Sequence, residues 1–175
     1  FAANDGVYVA HVGDSRVYRY RQSKLEQLTD DHSLLNDYIK MKRLTVEEIA
    51  NFPHKNVIVR ALGMKDTVKV DTRFEVPQAN DTYLLCSDGL SGPVTDPEIA
   101  EILGQYADIK TATSKLIERA NENGGPDNVT VLVIRAGRFR RRRAMPRLGV
   151  AGSAGVLAIL GTIVLADFLV EHLAG

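Results

Sequence analysis

The 175-residue chain has a single cysteine, Cys86. No intrachain disulfide can form, and a reducing compartment is expected. Cys86 closes the apolar run YLLC, which marks it as an inert core thiol rather than a nucleophile. There is no G-x-x-x-x-G-K-[ST], no H-E-x-x-H and no C-x-x-C. The common signatures of a phosphate loop, a zinc peptidase and a thiol pair are therefore missing. No Ser-His-Asp arrangement can be read from spacing. The chain also lacks an initiator methionine and a charged n-region, and it opens at Phe1 on sequence that is already strand-like. We expect a fragment, or a shortened reading, of a longer chain.

Net charge is zero, but the zero hides a split. Residues 1–134 carry 15 Lys/Arg and 20 Asp/Glu, whereas residues 135–147 hold seven Arg and no acid. An acidic body with one local Arg run is not the pattern of a nucleic-acid-binding domain, so no nucleic-acid partner is expected.

Residues 83–92, YLLCSDGLSG, organise the rest. A short apolar run ended by Ser, Asp and Gly reads as a buried strand that stops at Asp88. A carboxylate fixed at a strand end suits a hard cation, although Asp-Gly is equally a turn dipeptide. Residues 7–12 (VYVAHV) and 16–21 (RVYRYR) alternate like strands, and Gly13-Asp14-Ser15 reads as a tight hairpin between them. Asp14 is then a second strand-end carboxylate, or a turn residue bonding its own backbone. His11 reads as structural, because no second His or Cys has metal spacing.

Residues 25–28 suggest a short strand, and Thr29–Ser33 starts a helix through LLNDYIKMK. Thr45 caps a second helix, with Glu48 at the capping-box position, and Pro53 ends it. Residues 31–63 thus form a helical, loop-like candidate flap in which His32 and His54 are structural, or touch substrate. Residues 68–76 alternate as a half-exposed strand. Asp96 reads as an N-cap before Pro97. Residues 109–123 form a helix with Ile109, Ala112, Leu116, Ile117 and Ala120 facing inward, stopped by Gly124-Gly125-Pro126. Asp127-Asn128 then lead into a strand at 129–134. Three aspartates at strand edges point to Mg²⁺ or Mn²⁺ rather than zinc.

Five motifs in order, VGDSRVYRY, TDDHSL, PHKNVIVRALG, LLCSDGLSG and GGPDNVTVLVI, resemble the metal-dependent PPM/PP2C-type protein serine/threonine phosphatases of bacteria. The resemblance covers residues 1–135. It implies an α+β fold, the α-β-β-α sandwich, with a dinuclear Mn²⁺ or Mg²⁺ site between the sheets. It also implies Asp88 and Asp127 as ligands of the first metal, Asp14 with Asp88 at a weaker third site, and a flap over residues 31–62. Asn128 is then a loop-shaping neighbour. The family's Asp-Gly-x-Gly-Gly motif, its earlier acidic ligand and its phosphate-binding Arg have no counterpart in this sequence. The resemblance is to a C-terminal half, whose missing strands would leave apolar sheet surface exposed.

The tail, residues 148–166, is 19 residues without charge beside the Arg run. A helix of that length is about 28 Å long, close to the roughly 30 Å of a hydrocarbon core. The Arg excess places the body on the cytoplasmic side, and it suits anionic lipid heads. The domain reading is therefore a phosphatase-like part at 1–135, an Arg-rich juxtamembrane linker at 136–147, a transmembrane helix at 148–166 and a short extracytoplasmic tail at 167–175. The expectation is a single-pass, cell-membrane-anchored phosphatase that hydrolyses phosphoserine and phosphothreonine with a metal-activated water. Its partners would be the products of serine/threonine kinases. The alternative is a truncated or degenerate phosphatase-like module that binds a partner at the membrane without activity.

Overall fold

The computed structural model describes residues 2, 6–42, 44–53 and 57–137. The segment 148–166, expected to span a membrane, lies outside the described residues, as do His54 and most of the Arg-rich linker. Among the described residues no helix is long and apolar enough to cross a membrane.

The elements run β1 (Val7–His11), β2 (Arg16–Arg21), β3 (Lys24–Gln27), α1 (Leu34–Lys42), α2 (Val46–Ala50), β4 (Asp71–Glu75), β5 (Thr82–Cys86), α3 (Asp88–Ser91), α4 (Asp96–Gln105), α5 (Ile109–Glu122) and β6 (Val131–Arg135). A four-stranded antiparallel sheet has the order β3-β2-β5-β6, and β1 pairs with β4 in a separate two-stranded sheet. β5 is central, as its apolar sequence requires: Tyr83, Leu84 and Cys86 are all buried.

One face of the larger sheet meets the helices. Tyr18, Leu84, Cys86 and Val133 from the strands form the main core with Leu90, Val94, Ile99, Ile102 and Leu103, and with Ala112, Leu116 and Ala120 of α5. Within α5 the buried residues recur every four positions, as one face of a helix must. Ile109 is exposed and Ile117 only partly buried, so the inward stripe is narrower than the sequence suggests. The other face carries a smaller cluster of Val9, Leu28 and Tyr83, through which the two sheets touch. Leu132, Ile134, Tyr8 and Phe74 remain exposed on strands, the apolar surface anticipated from the resemblance.

Three local expectations are corrected. Residues 7–12 and 16–21 do not form a hairpin: β1 and β2 lie in different sheets. The intervening turn uses Gly13 at φ +113°, a conformation open to glycine, and its polar groups bond away from the turn. Gly13 N–H donates to His32 Nδ1 (3.0 Å), and Gly13 O accepts from His32 N–H (2.8 Å). The hairpin instead joins β2 and β3 through Gln22 and Ser23, at φ 49° and 62°, without the glycine that usually announces such a turn.

The N-cap of α4 is Thr95, not Asp96. Glu98 accepts from Thr95 N–H (2.9 Å) and Thr95 Oγ1–H (2.8 Å), while Asp96 takes a bond from the buried Tyr18 hydroxyl (3.1 Å). Strand β4 is also shorter than residues 68–76, since 68–70 are coil and the strand runs only from Asp71 to Glu75. The helical content expected of residues 31–63 is found: α1 and α2 lie there, with Ser33 Oγ accepting from Asn36 N–H (3.2 Å) and the Thr45–Glu48 capping box intact.

Candidate metal-binding end of the sheet

Strand register sets the segments that carry the aspartates at one end of the sheet. Arg16 pairs with Cys86, and Cys86 with Val131, so the start of β2, the end of β5 and the start of β6 are level. Asp14 precedes β2 and Asp88 follows β5 by two residues each, whereas Asp127 stands four residues before β6, which starts at Val131 and not at Val129 as the sequence suggests.

Asp88 is the first residue of α3 and is exposed. The chain reaches it through Ser87, which locks the β6 approach in place. Ser87 N–H donates to Thr130 O (3.1 Å), Ser87 Oγ–H donates to Asn128 O (3.1 Å), and Thr130 N–H donates to Ser87 Oγ (3.0 Å). Gly89 is what lets the two segments meet. A Cβ on it would stand 2.3 Å from Asn128 O and 2.8 Å from Asn128 C. The glycine therefore serves close backbone approach, not the sharp turn that Asp-Gly suggests. Asn128 supplies the backbone against which Gly89 packs, in line with a loop-shaping role. Asp127 is exposed, and its Oδ1 accepts from Asn128 N–H (2.7 Å).

Asp14 is half-buried at the tip of the β1–β2 turn. Burial, and then the like charge of Asp88, push its carboxyl above the usual range. A backbone hydrogen bond and Arg16 offset part of this rise. The turn is held from behind by His32, which is 4% exposed. His32 Nδ1 accepts from Gly13 N–H, and its Nε2 lies 3.0 Å from both Asp71 Oδ2 and Arg60 Nη1. Arg60 Nη1 donates to Asp71 Oδ1 (3.0 Å). His32 and then Arg60 hold the Asp71 carboxyl below the usual range. His11 is buried with its ring against that of His32 (4.8 Å), and burial, then His32, lower its pKa, which fits a structural role.

A second brace runs along β2. Arg16 donates from Nε and Nη2 to Asp31 (2.7–3.0 Å) and from Nη1 to Tyr18 Oη (2.9 Å). Cys86 sits under this end with its thiol pushed up to about 12, chiefly by burial, so it is inert as expected. The sequence does not reveal the Asp31–Arg16 fork or the His32–Asp71–Arg60 group. His32 lies 39 residues from Asp71 and 28 from Arg60, and no periodicity links them.

The carboxylate oxygens and the raised Asp14 pKa fit part of a hard-cation site. They do not complete one: among the described residues no three His, Cys, Asp or Glu side chains converge as a metal-holding group. A two-metal centre needs ligands beyond these.

No family model matches the chain. It is 41% identical over 142 residues to the serine/threonine phosphatase stp of Listeria welshimeri, which covers 81% of this chain and 56% of that protein. Among solved structures it resembles the Streptococcus agalactiae serine/threonine phosphatase (TM-score 0.69, 38% identity, 74% of this chain and 54% of that one). It also resembles the catalytic domain of the phosphatase PstP in complex with two manganese ions (TM-score 0.63, 40% identity, 76% of this chain and 54% of that one). The chain spans about half the length of the curated relatives it matches. Similarity at this level shows a PP2C-like arrangement of antiparallel sheets and helices.

Proposed function

We propose that this chain supplies part of the active face of a metal-dependent protein serine/threonine phosphatase. The observation that supports the reading is the strand register, which sets Asp14 and Asp88 beyond the same end of the sheet, with Gly89 packed against Asn128, the neighbour of Asp127. Asp88 and Asp127 are the proposed carboxylate ligands, and Asp14 a weaker one. Bound Mn²⁺ or Mg²⁺ would supply the Lewis acidity that makes water a competent nucleophile toward a phosphate monoester. The chain's own residues position these oxygens: Ser87 and Gly89 fix the spacing between the Asp88 and Asp127 segments, and His32 fixes the Asp14 turn. The remaining ligands belong, in this reading, to the portion of the relatives that the chain does not match. The substrates are phosphoproteins made by serine/threonine kinases.

The test is turnover of a phosphothreonine peptide with Mn²⁺, by this chain alone and with the unmatched portion of the Listeria phosphatase supplied as a second polypeptide. Little turnover is expected alone and Mn²⁺-dependent turnover with the complement. Asp88→Asn and Asp127→Asn should each abolish most of it, and Asp14→Asn less. Near-wild-type turnover in Asp88→Asn removes that residue from the site. Robust turnover by the chain alone overturns the need for further ligands.

The absence of a three-ligand group among the described residues favours, as a second reading, a phosphatase-like binding module without activity. Failure of every complemented preparation to hydrolyse the peptide would select it. In either reading we propose that residues 148–166 anchor the chain, with the body cytoplasmic. Recovery of full-length protein in the soluble fraction without detergent would refute the anchor.

A further inference from the structure

We infer that the loop 59–69 is a docking groove for acidic peptide sequence flanking the phosphorylated residue. The inference deepens the phosphatase reading and rests on it for why such a peptide is presented. The loop folds back at Ala61–Met64, where Met64 N–H meets Ala61 O (3.4 Å) and Gly63 takes φ +84°. It borders an open surface groove of about 320 Å³ lined by Val59, Ala61, Met64 and Val68, with Lys65 and Lys69 beside them.

Lys65 and Lys69 are exposed and form no ion pair among the described residues, whereas Arg16, Arg19, Arg21, Arg60, Arg73 and Arg119 are all paired. The charge of the chain is also divided. Residues 40–69 hold seven Lys/Arg and three Asp/Glu, while the remainder of residues 1–134 holds eight and seventeen. Within the loop itself Arg60, Lys65 and Lys69 stand against one acid, Asp66, so a peptide with acidic neighbours is attracted here.

The groove is also tied to the carboxylate end. Val59 N–H donates to His32 O (2.8 Å), and Arg60, part of the groove wall, lies with Nη1 3.0 Å from both His32 Nε2 and Asp71 Oδ1. His32 in turn holds Gly13, the residue before Asp14. Apolar lining for a side chain and two free ammonium groups for carboxylates thus sit one histidine away from the proposed site of hydrolysis. Acidic flanking sequence is the occupant this chemistry selects.

The experiment is fluorescence anisotropy on the full chain, with EDTA present so that no probe is consumed. It uses three labelled phosphothreonine peptides whose flanks are Asp/Glu, Ala or Lys. The acidic peptide should bind best, and its affinity should fall as salt rises from about 50 to about 300 mM. Lys65→Glu/Lys69→Glu should weaken it by about tenfold and leave the Ala-flanked peptide within about twofold. Equal affinity for acidic and Ala-flanked peptides, or an unchanged acidic peptide in the double variant, overturns the groove. So does a variant that loses anionic vesicles while keeping the peptides, which would assign the lysines to a lipid surface. Charge-selective binding without turnover in the complemented assay would reject the phosphatase reading alone. Turnover indifferent to flanking charge would reject the groove alone.

Discussion

Gly89→Ala is the sharpest test of how the carboxylate end is built. The added methyl would sit 2.3 Å from Asn128 O, 2.8 Å from Asn128 C and 3.3 Å from Val129 N. All three are backbone atoms, so no rotamer change relieves the clash, and the loop before β6 must move. Overpacking of this kind costs about 1–3 kcal/mol. Moving the loop also strains the three hydrogen bonds that Ser87 makes to residues 128 and 130, each contributing about 1 kcal/mol. Against this stands the better helix propensity of Ala, at most about 1 kcal/mol, and α3 is only four residues long. The balance is a loss of about 2–3 kcal/mol, or a fall in melting temperature of about 5–10 °C for a domain of this size. Thermal unfolding followed by circular dichroism measures it. Gly137→Ala is the control, since nothing lies within 4 Å of its added Cβ, and it should stay within about 0.5 kcal/mol of wild type. The variant should also blunt any stabilisation by Mn²⁺, because Asp88 and Asp127 would no longer keep their spacing. A Gly89→Ala protein that melts within a degree of wild type would refute the close-approach argument.

Other perturbations follow from the same contacts. Arg21→Ala strands the buried Asp81 carboxylate, which now receives Arg21 Nε and Nη2 at 2.7 and 2.6 Å, and should cost about 3 kcal/mol near neutral pH. Burial raises the Asp81 pKa, but Arg21 and Gln78 N–H outweigh it, and the net shift is downward. The pair's stabilisation is therefore present above the ordinary carboxylate pKa and lost as pH falls through the folded value, so variant and wild-type melting temperatures should converge in acid. A gap of constant size would contradict this. Glu98 is held at about 2 by the Thr95 N–H and hydroxyl and by Arg119, against 4.5 ordinarily. Its stabilisation is complete above about pH 4.5 and disappears toward about pH 2. Glu98→Gln should accordingly flatten the acid-unfolding curve across that window, and an unchanged curve would dismiss the cap. His32→Ala leaves Gly13 N–H without its acceptor and a void behind the Asp14 turn, so a loss of about 3 kcal/mol in chemical denaturation is expected. An unmoved denaturation midpoint would show that the turn stands without the imidazole.

What was legible in the chain tracks the range of the forces involved. β5 and α5 were readable because burial imposes a period on neighbouring residues: a continuous apolar run for a strand covered on both faces, a four-residue recurrence for a helix packed on one. Asp14 and Asp88 were readable as carboxylates beside strand ends because each adjoins such a run, whereas Asp127 stands four residues before β6 and not at its edge. Partner choice was not readable in the same way. The alternation in β1 fixes which side chains face inward, but it is equally satisfied by pairing with β2 or with β4. The structure decides by spending both polar groups of Gly13 on His32, so that the chain crosses between sheets instead of closing a hairpin. The same histidine then reaches Asp71 at the start of β4, the strand that β1 does pair with. Two errors of reading, the misplaced hairpin and the unseen His32–Asp71–Arg60 group, are thus one fact: a buried imidazole, 19 residues from Gly13, sets the strand partner and holds the Asp14 turn together.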